Sequence, residues 1–334
     1  MRKRVIFGCS GPVLAAHERD FFRDVEPWGF ILFGRNVQTK EQVRTLTDAL
    51  RETVGDPTAP VLIDQEGGRV ARLKPPVWNP RPPQGVFGAL HCQDPERAGE
   101  AAYLNARLIA ADLVEIGVTV DCLPVLDVPV PGAHDIIGDR AFSTDPSVII
   151  DLGRAVMNGL MDGGVLPVMK HAPGHGRAGC DTHLDLPHVT ATREQLSAAD
   201  FVTFRSLAHC PMAMTAHVVY DAIDPNRPAT LSPRVVREII RGEMGYQGLL
   251  MTDDLSMSAL SGPLAARAKA ALFAGCDVVL HCNGGMDEMK DVALEAKPLE
   301  GEALKRAETA LGHLVRPADF DRIAAEARLK ELLA

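Results

Sequence analysis

Eight short apolar segments alternate with longer helical segments, and this alternation predicts an α/β fold of the (β/α)8 TIM-barrel class. Most of the apolar segments are continuous, as expected of parallel strands that are buried on both faces. The length of 334 residues suits one such barrel. The predicted strands are Arg4–Gly8, Gly29–Phe33, Pro60–Asp64, Val118–Cys122, Val165–Met169, Met212–Thr215, Gly248–Thr252 and Asp277–Leu280.

Helical segments separate most of the predicted strands. Ser232 followed by Pro233 is typical of a helix start, and Gly163 and Gly275 stand where C-caps are expected. Residues 301–334 are expected to form two amphipathic helices packed on the outside of the barrel. The other predicted helices are Lys40–Glu52, Pro95–Ile116, Ser147–Gly163, Thr192–Ala208, Ser232–Met244 and Leu264–Gly275.

A doubly wound open sheet is the main alternative fold. No Gly-x-Gly-x-x-Gly fingerprint follows the first predicted strand, which argues against a dinucleotide-binding version of that sheet. No change in composition marks a second domain. Residues 1–334 are therefore predicted to form one domain.

Composition excludes some classes of partner and indicates the cellular compartment. The formal charge is −9 and no stripe of Lys or Arg occurs, so nucleic acid is not an expected partner. No uncharged apolar stretch approaches the roughly 20 residues of a membrane span, and Val5–Cys9 is shorter than the roughly 7–15 apolar residues of an export signal. The seven cysteines are scattered and form no CxxC pair, which favours reduced thiols in a cytoplasm.

Charged side chains follow the predicted strands at the end where barrel active sites lie. Carboxylates, guanidinium groups, ammonium groups and imidazoles in this arrangement match the hydroxyl groups of a sugar. The residues concerned are Asp64, Arg72, Arg140, Lys170, His171 and Asp253.

Glycoside cleavage needs one group at the anomeric carbon and another that protonates the leaving oxygen. Asp253 suits the first role, because the end of a strand holds a side chain rigidly. His183 suits the second, because it lies in a loop rich in Gly and Pro and Asp181 could orient it as an acid and then a base.

Other interpretations of the same residues are open at this point. Asp254 is better explained as a cap of the following helix, and His175 as a residue that shapes its loop. A metal-dependent hydrolase of the amidohydrolase type would use His171, His175, His217 and Asp253 as ligands, although no His-x-His pair follows the first strand. A glycoside phosphorylase on the same scaffold and a non-catalytic sugar-binding protein are further alternatives.

Several segments together resemble bacterial β-N-acetylhexosaminidases of glycoside hydrolase family 3, in their short, single-domain form. The resemblance extends over nearly the whole chain. It is carried by Ile63–Val70, Lys170–Gly176, Asp181–His183, Met214–His217, Pro228–Ser232 and Thr252–Met257.

The resemblance implies a retaining exo-β-N-acetylglucosaminidase with Asp253 as nucleophile, His183 as acid/base and Asp181 as the partner of that histidine. It also implies a substrate, a terminal β-linked N-acetylglucosamine on 1,6-anhydro-N-acetylmuramic acid with or without peptide, as in peptidoglycan recycling. No metal or cofactor is expected, and the protein is expected to be a cytoplasmic monomer that binds this sugar or muropeptide, without nucleic-acid or membrane partners. The implied sugar contacts are Asp64, Arg72, Arg140, Lys170 and His171.

The loop that carries the acid/base departs from the family at three positions. The family often has Phe, Asp and Ser where this chain has Ala172, Arg177 and Thr182. The spacing of Asp181 and His183 after the fifth strand is kept, so we expect different loop packing with the same chemistry.

Overall fold

A computed structural model describes residues 1–132, 134–179 and 186–334 of the chain. Its strands, in chain order, are β1 (Lys3–Gly8), β2 (Pro27–Leu32), β3 (Val61–Ile63), β4 (Val120–Asp121), β5 (Leu166–Ala172), β6 (His188–Val189), β7 (Met212–Thr215), β8 (Val219–Tyr220), β9 (Asp224–Pro228), β10 (Leu249–Asp254) and β11 (Val278–His281).

The eight strands β1, β2, β3, β4, β5, β7, β10 and β11 form a closed parallel barrel, which confirms the predicted (β/α)8 class. Closure comes from β1, which pairs with β2 on one side and with β11 on the other, with Val5 opposite Val279. The remaining strands form a small sheet in the order β6-β8-β9 beside the barrel.

The helices lie between and after the strands. Residues 235–243 form a π-helix, and three short 3-10 turns cover residues 34–36, 138–140 and 229–231. The α-helices are α1 (Ala16–Val25), α2 (Lys40–Thr53), α3 (Gln84–His91), α4 (Pro95–Glu115), α5 (Pro146–Asp162), α6 (Arg193–Ala198), α7 (Asp200–Ser206), α8 (Leu264–Ala274), α9 (Met286–Glu295), α10 (Gly301–Gly312) and α11 (Arg322–Leu333).

Strands β5 and β10 are longer than the sequence predicted, and this difference bears on the site. The fifth strand was predicted to end at Met169, but β5 continues through Ala172: the Lys170 N–H donates to Pro124 O at 3.0 Å, and Lys170 O accepts from Leu126 N at 2.7 Å. Likewise β10 continues through Asp254. Charged residues can extend these strands because carboxylates, cations and backbone groups at the barrel mouth pair with them.

Two helix predictions also need correction. The predicted helix Thr192–Ala208 is two helices, because Ala199 leaves helical geometry (φ −120°, ψ −63°) between α6 and α7. The predicted helix after Ser232 is the π-helix, and the Ser232 hydroxyl accepts from Val235 N at 3.1 Å as a cap would. Gly275 is a left-handed C-cap as predicted, with φ of 118°.

The core has two layers. One lies between the barrel wall and the surrounding helices, and the other fills the barrel itself with side chains such as Ile6, Leu62 and Met212. Leu299 and three alanines of α10 (Ala303, Ala307 and Ala310) join the inner layer, so α10 covers the floor of the barrel, at the N-terminal ends of the strands. Helix α11 instead packs on α4, outside the barrel. That residues 1–334 act as one domain stays a prediction.

Among the described residues, none of the helices combines the length and the apolar character that crossing a bilayer requires.

Candidate active site

A cavity of about 410 Å³ lies at the C-terminal ends of the barrel strands, which is the position that the fold predicts for an active site. Six residues that the sequence singled out line this cavity together, although they come from distant parts of the chain. They are Asp64, Arg72, Arg140, Lys170, His171 and Asp253.

Lys170 lies at the centre of the charged cluster on one wall. Its ammonium group is 2.9 Å from Asp64 Oδ1 and 2.6 Å from Glu66 Oε1, and its side chain is 2% exposed. Arg72 approaches the other oxygen of Asp64, with Nη2 at 3.0 Å from Oδ2. An ammonium group has three N–H donors, so these contacts leave Lys170 one donor for a ligand.

Arg140 is held by Glu66 through two parallel hydrogen bonds. Arg140 Nε donates to Oε2 and Nη2 donates to Oε1, both at 2.9 Å. This bidentate arrangement fixes the plane of the guanidinium group. The same Nη2 lies 3.5 Å from His171 Nε2, at the outer limit of a hydrogen bond.

The cluster keeps its groups charged. Burial alone would raise the pKa values of the Asp64 and Glu66 carboxyls, but Lys170 with Arg72 outweighs it at Asp64, and Lys170 with Arg140 outweighs it at Glu66, so both pKa values are lowered. Burial would likewise lower the pKa of Lys170, and the same two carboxylates raise it instead. The wall therefore presents ionised donors and acceptors at neutral pH.

His171 is oriented by a buried aspartate beneath the cavity. Asp127 Oδ2 lies 2.7 Å from His171 Nδ1, and Asp127 Oδ1 accepts from the backbone N–H groups of His171 and His175 at 3.2 and 2.6 Å. Burial would raise the pKa of Asp127, but His171 and His175 together outweigh it and lower that pKa to about 2. An ionised Asp127 holds the Nδ1–H of His171, which directs Nε2 towards Arg140 and the cavity.

Asp253 is the second-last residue of β10 and lines the cavity. Its Oδ1 accepts from the Asp254 N–H at 2.8 Å. Burial alone would raise the pKa of this carboxyl, but the imidazoles of His217 and His171, together with the Asp254 N–H, lower it below its ordinary value. A carboxylate kept ionised at the end of a rigid strand can act as a nucleophile.

Asp254 does not cap the next helix, contrary to the sequence-based interpretation, because α8 begins only at Leu264. Its carboxylate instead closes the turn after β10, accepting from Ser256 N at 3.1 Å, and it also accepts from Cys282 N at 3.2 Å. Its backbone oxygen lies 2.9 Å from His217 Nε2. Asp254 therefore supports the strand end that carries Asp253.

The predicted acid/base pair, Asp181 and His183, lies outside the described residues. The start of its loop is described and is held at several points. Tyr220 donates from its hydroxyl to Gly174 O, and Arg177 Nε donates to Asp200 Oδ2 at 2.7 Å. Gly176 lies so close to the backbone of Val128 that an added Cβ would be 2.1 Å from Val128 O.

The ligands proposed for a metal-dependent hydrolase are engaged in other contacts. Two of them bind protein groups through their rings: His171 pairs with Asp127, and His217 Nδ1 lies 2.8 Å from Thr230 Oγ1. Within the described ranges, no group of three or more His, Cys, Asp or Glu side chains is arranged to hold a metal ion.

Sequence reasoning missed two carboxylates of the site. Glu66 belongs to the segment Ile63–Val70 that carries the family resemblance, in which the sequence predicts a role for Asp64 alone. Asp127 interrupts a run of apolar residues. A buried acid requires a partner, and so does a lysine inside an apolar strand, so Lys170 was the signal that could have identified Glu66.

Comparison with known proteins gives consistent matches. A sequence model of the glycosyl hydrolase family 3 N terminal domain matches residues 15–315. A β-hexosaminidase from Alkalilimnicola ehrlichii is 42% identical over 283 residues, which are 84% of this chain and 80% of that protein. A β-hexosaminidase from Stenotrophomonas maltophilia is 37% identical over 329 residues, 97% of this chain and 95% of that protein.

A solved structure matches as well. NagZ from Neisseria gonorrhoeae, in complex with N-trifluoroacetyl-D-glucosamine, superposes with a TM-score of 0.89 at 30% identity, and the match covers 100% of this chain and 98% of that one. The resemblance predicted from the sequence segments is confirmed by these matches.

Proposed function

Because the chain belongs to glycosyl hydrolase family 3, we propose that it is a retaining exo-β-N-acetylglucosaminidase. The relatives named β-hexosaminidase support hydrolysis of β-linked N-acetylhexosamines. The observation that carries the proposal is the ionised Asp253 at the end of β10, across the cavity from a wall of charged hydrogen-bonding groups.

The proposed substrate is N-acetylglucosamine β-linked to 1,6-anhydro-N-acetylmuramic acid, with or without peptide, in the recycling of peptidoglycan. A sugar seated in the cavity would offer its hydroxyl groups to Asp64, Arg72, Arg140, Lys170 and His171. The proposal also includes a monomer that acts in the cytoplasm and needs neither a cofactor nor a macromolecular partner.

In the first proposed step, Asp253 attacks the anomeric carbon while the bond to the leaving oxygen breaks. His183, oriented by Asp181, gives its proton to that oxygen, and a covalent glycosyl-enzyme forms. In the second step His183 takes a proton from water, the water oxygen attacks the anomeric carbon, and the Asp253 carboxylate is released.

The test of the nucleophile uses a fluorinated sugar. A 2-fluoro or 5-fluoro glycoside slows the second step, so the label should accumulate on the enzyme, and peptide mass analysis should place it on Asp253. Label on Asp254 would contradict the assignment.

The test of the acid uses leaving groups of different basicity. His183→Ala should slow hydrolysis of substrates with poor leaving groups far more than hydrolysis of activated aryl glycosides, because only poor leaving groups need the proton. Equal losses on both substrates would exclude an acid role.

A phosphorylase on this scaffold would use phosphate where the hydrolase uses water. Products formed with and without phosphate therefore separate the two activities. Free N-acetylglucosamine in both reactions supports hydrolysis, whereas a sugar 1-phosphate would replace the proposal.

A further inference from the structure

Glu66 has no role among the sugar contacts or the catalytic groups proposed above. It lies between two of the cations that line the cavity, and its side chain is 2% exposed. Both of its oxygens are used within the protein. Oε1 accepts from Lys170 at 2.6 Å and from Arg140 at 2.9 Å, and Oε2 accepts from Arg140 at 2.9 Å.

This geometry sets the orientation of both cations. The two hydrogen bonds to Arg140 define the plane of its guanidinium group, whereas the contact to Lys170, together with Asp64, uses two of its three N–H donors. Arg140 also donates from Nη1 to Ile136 O at 3.3 Å, so the donors that remain on the two cations are held beside the cavity that both residues line. Flexible side chains without this carboxylate would have to be ordered by the sugar itself, at a cost in affinity.

We propose that Glu66 is a positioning residue that aligns Lys170 and Arg140 for the hydroxyl groups of the bound sugar. This inference rests on the proposed function. Glu66 also lines the cavity, but its two oxygens already accept three hydrogen bonds from Lys170 and Arg140, so we infer that it acts through these cations.

The chain offers a matched control at the other end of the barrel. Asp277 is also a buried carboxylate between two cations: Oδ2 accepts from Arg241 at 2.7 Å and Oδ1 accepts from Arg306 at 3.0 Å. Asp277 does not line the cavity. Glu66→Gln and Asp277→Asn make the same chemical change, from carboxylate to amide, in the two places.

The experiment compares wild type, E66Q and D277N on 4-nitrophenyl N-acetyl-β-glucosaminide and on the 3-, 4- and 6-deoxy analogues. E66Q should raise KM for the full substrate about tenfold, the effect of losing one charge-assisted contact. For the analogue that lacks the hydroxyl bound by Lys170 or Arg140, E66Q should differ from wild type by less than about threefold in KM, because that contact is already gone.

The control variant and a binding measurement distinguish a role of Glu66 in sugar binding from a role in folding alone. D277N should keep wild-type KM and kcat per folded molecule on all four substrates. Calorimetric titration with N-acetylglucosamine should show weaker binding to E66Q than to wild type or D277N.

Equal loss by E66Q on all four substrates, or an unchanged KM, would overturn the inference. If E66Q does not fold, Glu66→Asp keeps the charge on a shorter side chain and should show the same selectivity to a smaller degree. If neither variant folds while D277N does, Glu66 serves the fold and the inference is wrong.

The same measurements distinguish a failure of the proposed function from a failure of the role proposed for Glu66. A wild type that binds N-acetylglucosamine but does not hydrolyse its glycosides contradicts the hydrolase, and the titration still decides the role of Glu66. A wild type that does not bind the sugar contradicts both.

Discussion

The mouth and the floor of the barrel both contain buried carboxylates between cations, but the cations are used differently. At the floor, Arg241 donates to Asp277 at 2.7 Å and to the backbone oxygens of Tyr246 and Gly248 at 3.0 and 2.8 Å. At the mouth, Lys170 contacts two carboxylates and keeps a donor for a ligand. The same chemistry therefore joins structural elements at the floor and, under the proposed function, orients sugar-binding groups at the mouth.

The largest expected effect at the mouth is on catalysis. Asp253→Asn should lower kcat about a thousandfold or more, because the amide cannot act as the nucleophile. The variant should fold but should not be more stable than wild type, because the groups that lower the pKa of Asp253 favour its charge in the folded state. Steady-state kinetics and a thermal melt together check this. A variant that loses stability but keeps its turnover would contradict the assignment of Asp253 to catalysis.

The corresponding change at the floor should act on stability alone. Asp277→Asn leaves Arg241 and Arg306 without their buried carboxylate and should cost about 3 kcal/mol in the free energy of unfolding. Denaturant unfolding measures the loss, and kcat of the folded fraction serves as the control. A change in kcat would mean that the two ends of the barrel are coupled.

A third substitution, at Asp127, should change how the stability of the mouth depends on pH. The pKa of Asp127 is about 2 in the folded chain against an ordinary value of 3.8, so its ionisation stabilises the fold above the ordinary pKa and this contribution is lost as pH falls through the folded value. The contribution is about 2 kcal/mol.

The measurement is the difference in unfolding free energy between wild type and Asp127→Asn. It should be constant above about pH 5 and should shrink by about 2 kcal/mol as the pH falls towards 2. A difference that closes between neutral pH and about pH 5 would assign the effect to a group with a higher pKa.

The smallest effect concerns the start of the loop that follows β5. Gly176→Ala places a Cβ 2.1 Å from Val128 O, whereas an alanine at Gly179 meets nothing within 4 Å. The first variant should lower kcat/KM about tenfold by displacing the loop, and the second should stay within about twofold of wild type. Equal behaviour of the two variants would show that close packing on Val128 does not position the loop.

The sequence predicted the barrel well because its signal is repeated. Apolar segments such as Met212–Thr215 coincide with strands in the structure, and a single misjudged boundary does not change the alternation. The ends of strands were harder to predict. Lys170 is a charged residue within β5, and local hydrophobicity cannot show that Asp64 and Glu66, in the segment after β3, pair with it.

The residues at the candidate site differ in how directly the sequence points to them. Asp253 and Arg72 line the cavity and follow predicted strands, so their positions in the sequence already mark them as candidates. Glu66 and Asp127 contact other protein groups, so their roles depend on distances between segments far apart in the chain. Sequence spacing contains no such distances, and only the folded barrel supplies them.

Helix α10 has a consequence for how the protein is made. Its alanines complete the inner core from below, and they belong to residues 301–312. We therefore expect the apolar interior of the barrel to remain exposed to solvent during synthesis until residues 301–312 have left the ribosome. We expect nascent chains that stop short of it to aggregate or to bind chaperones.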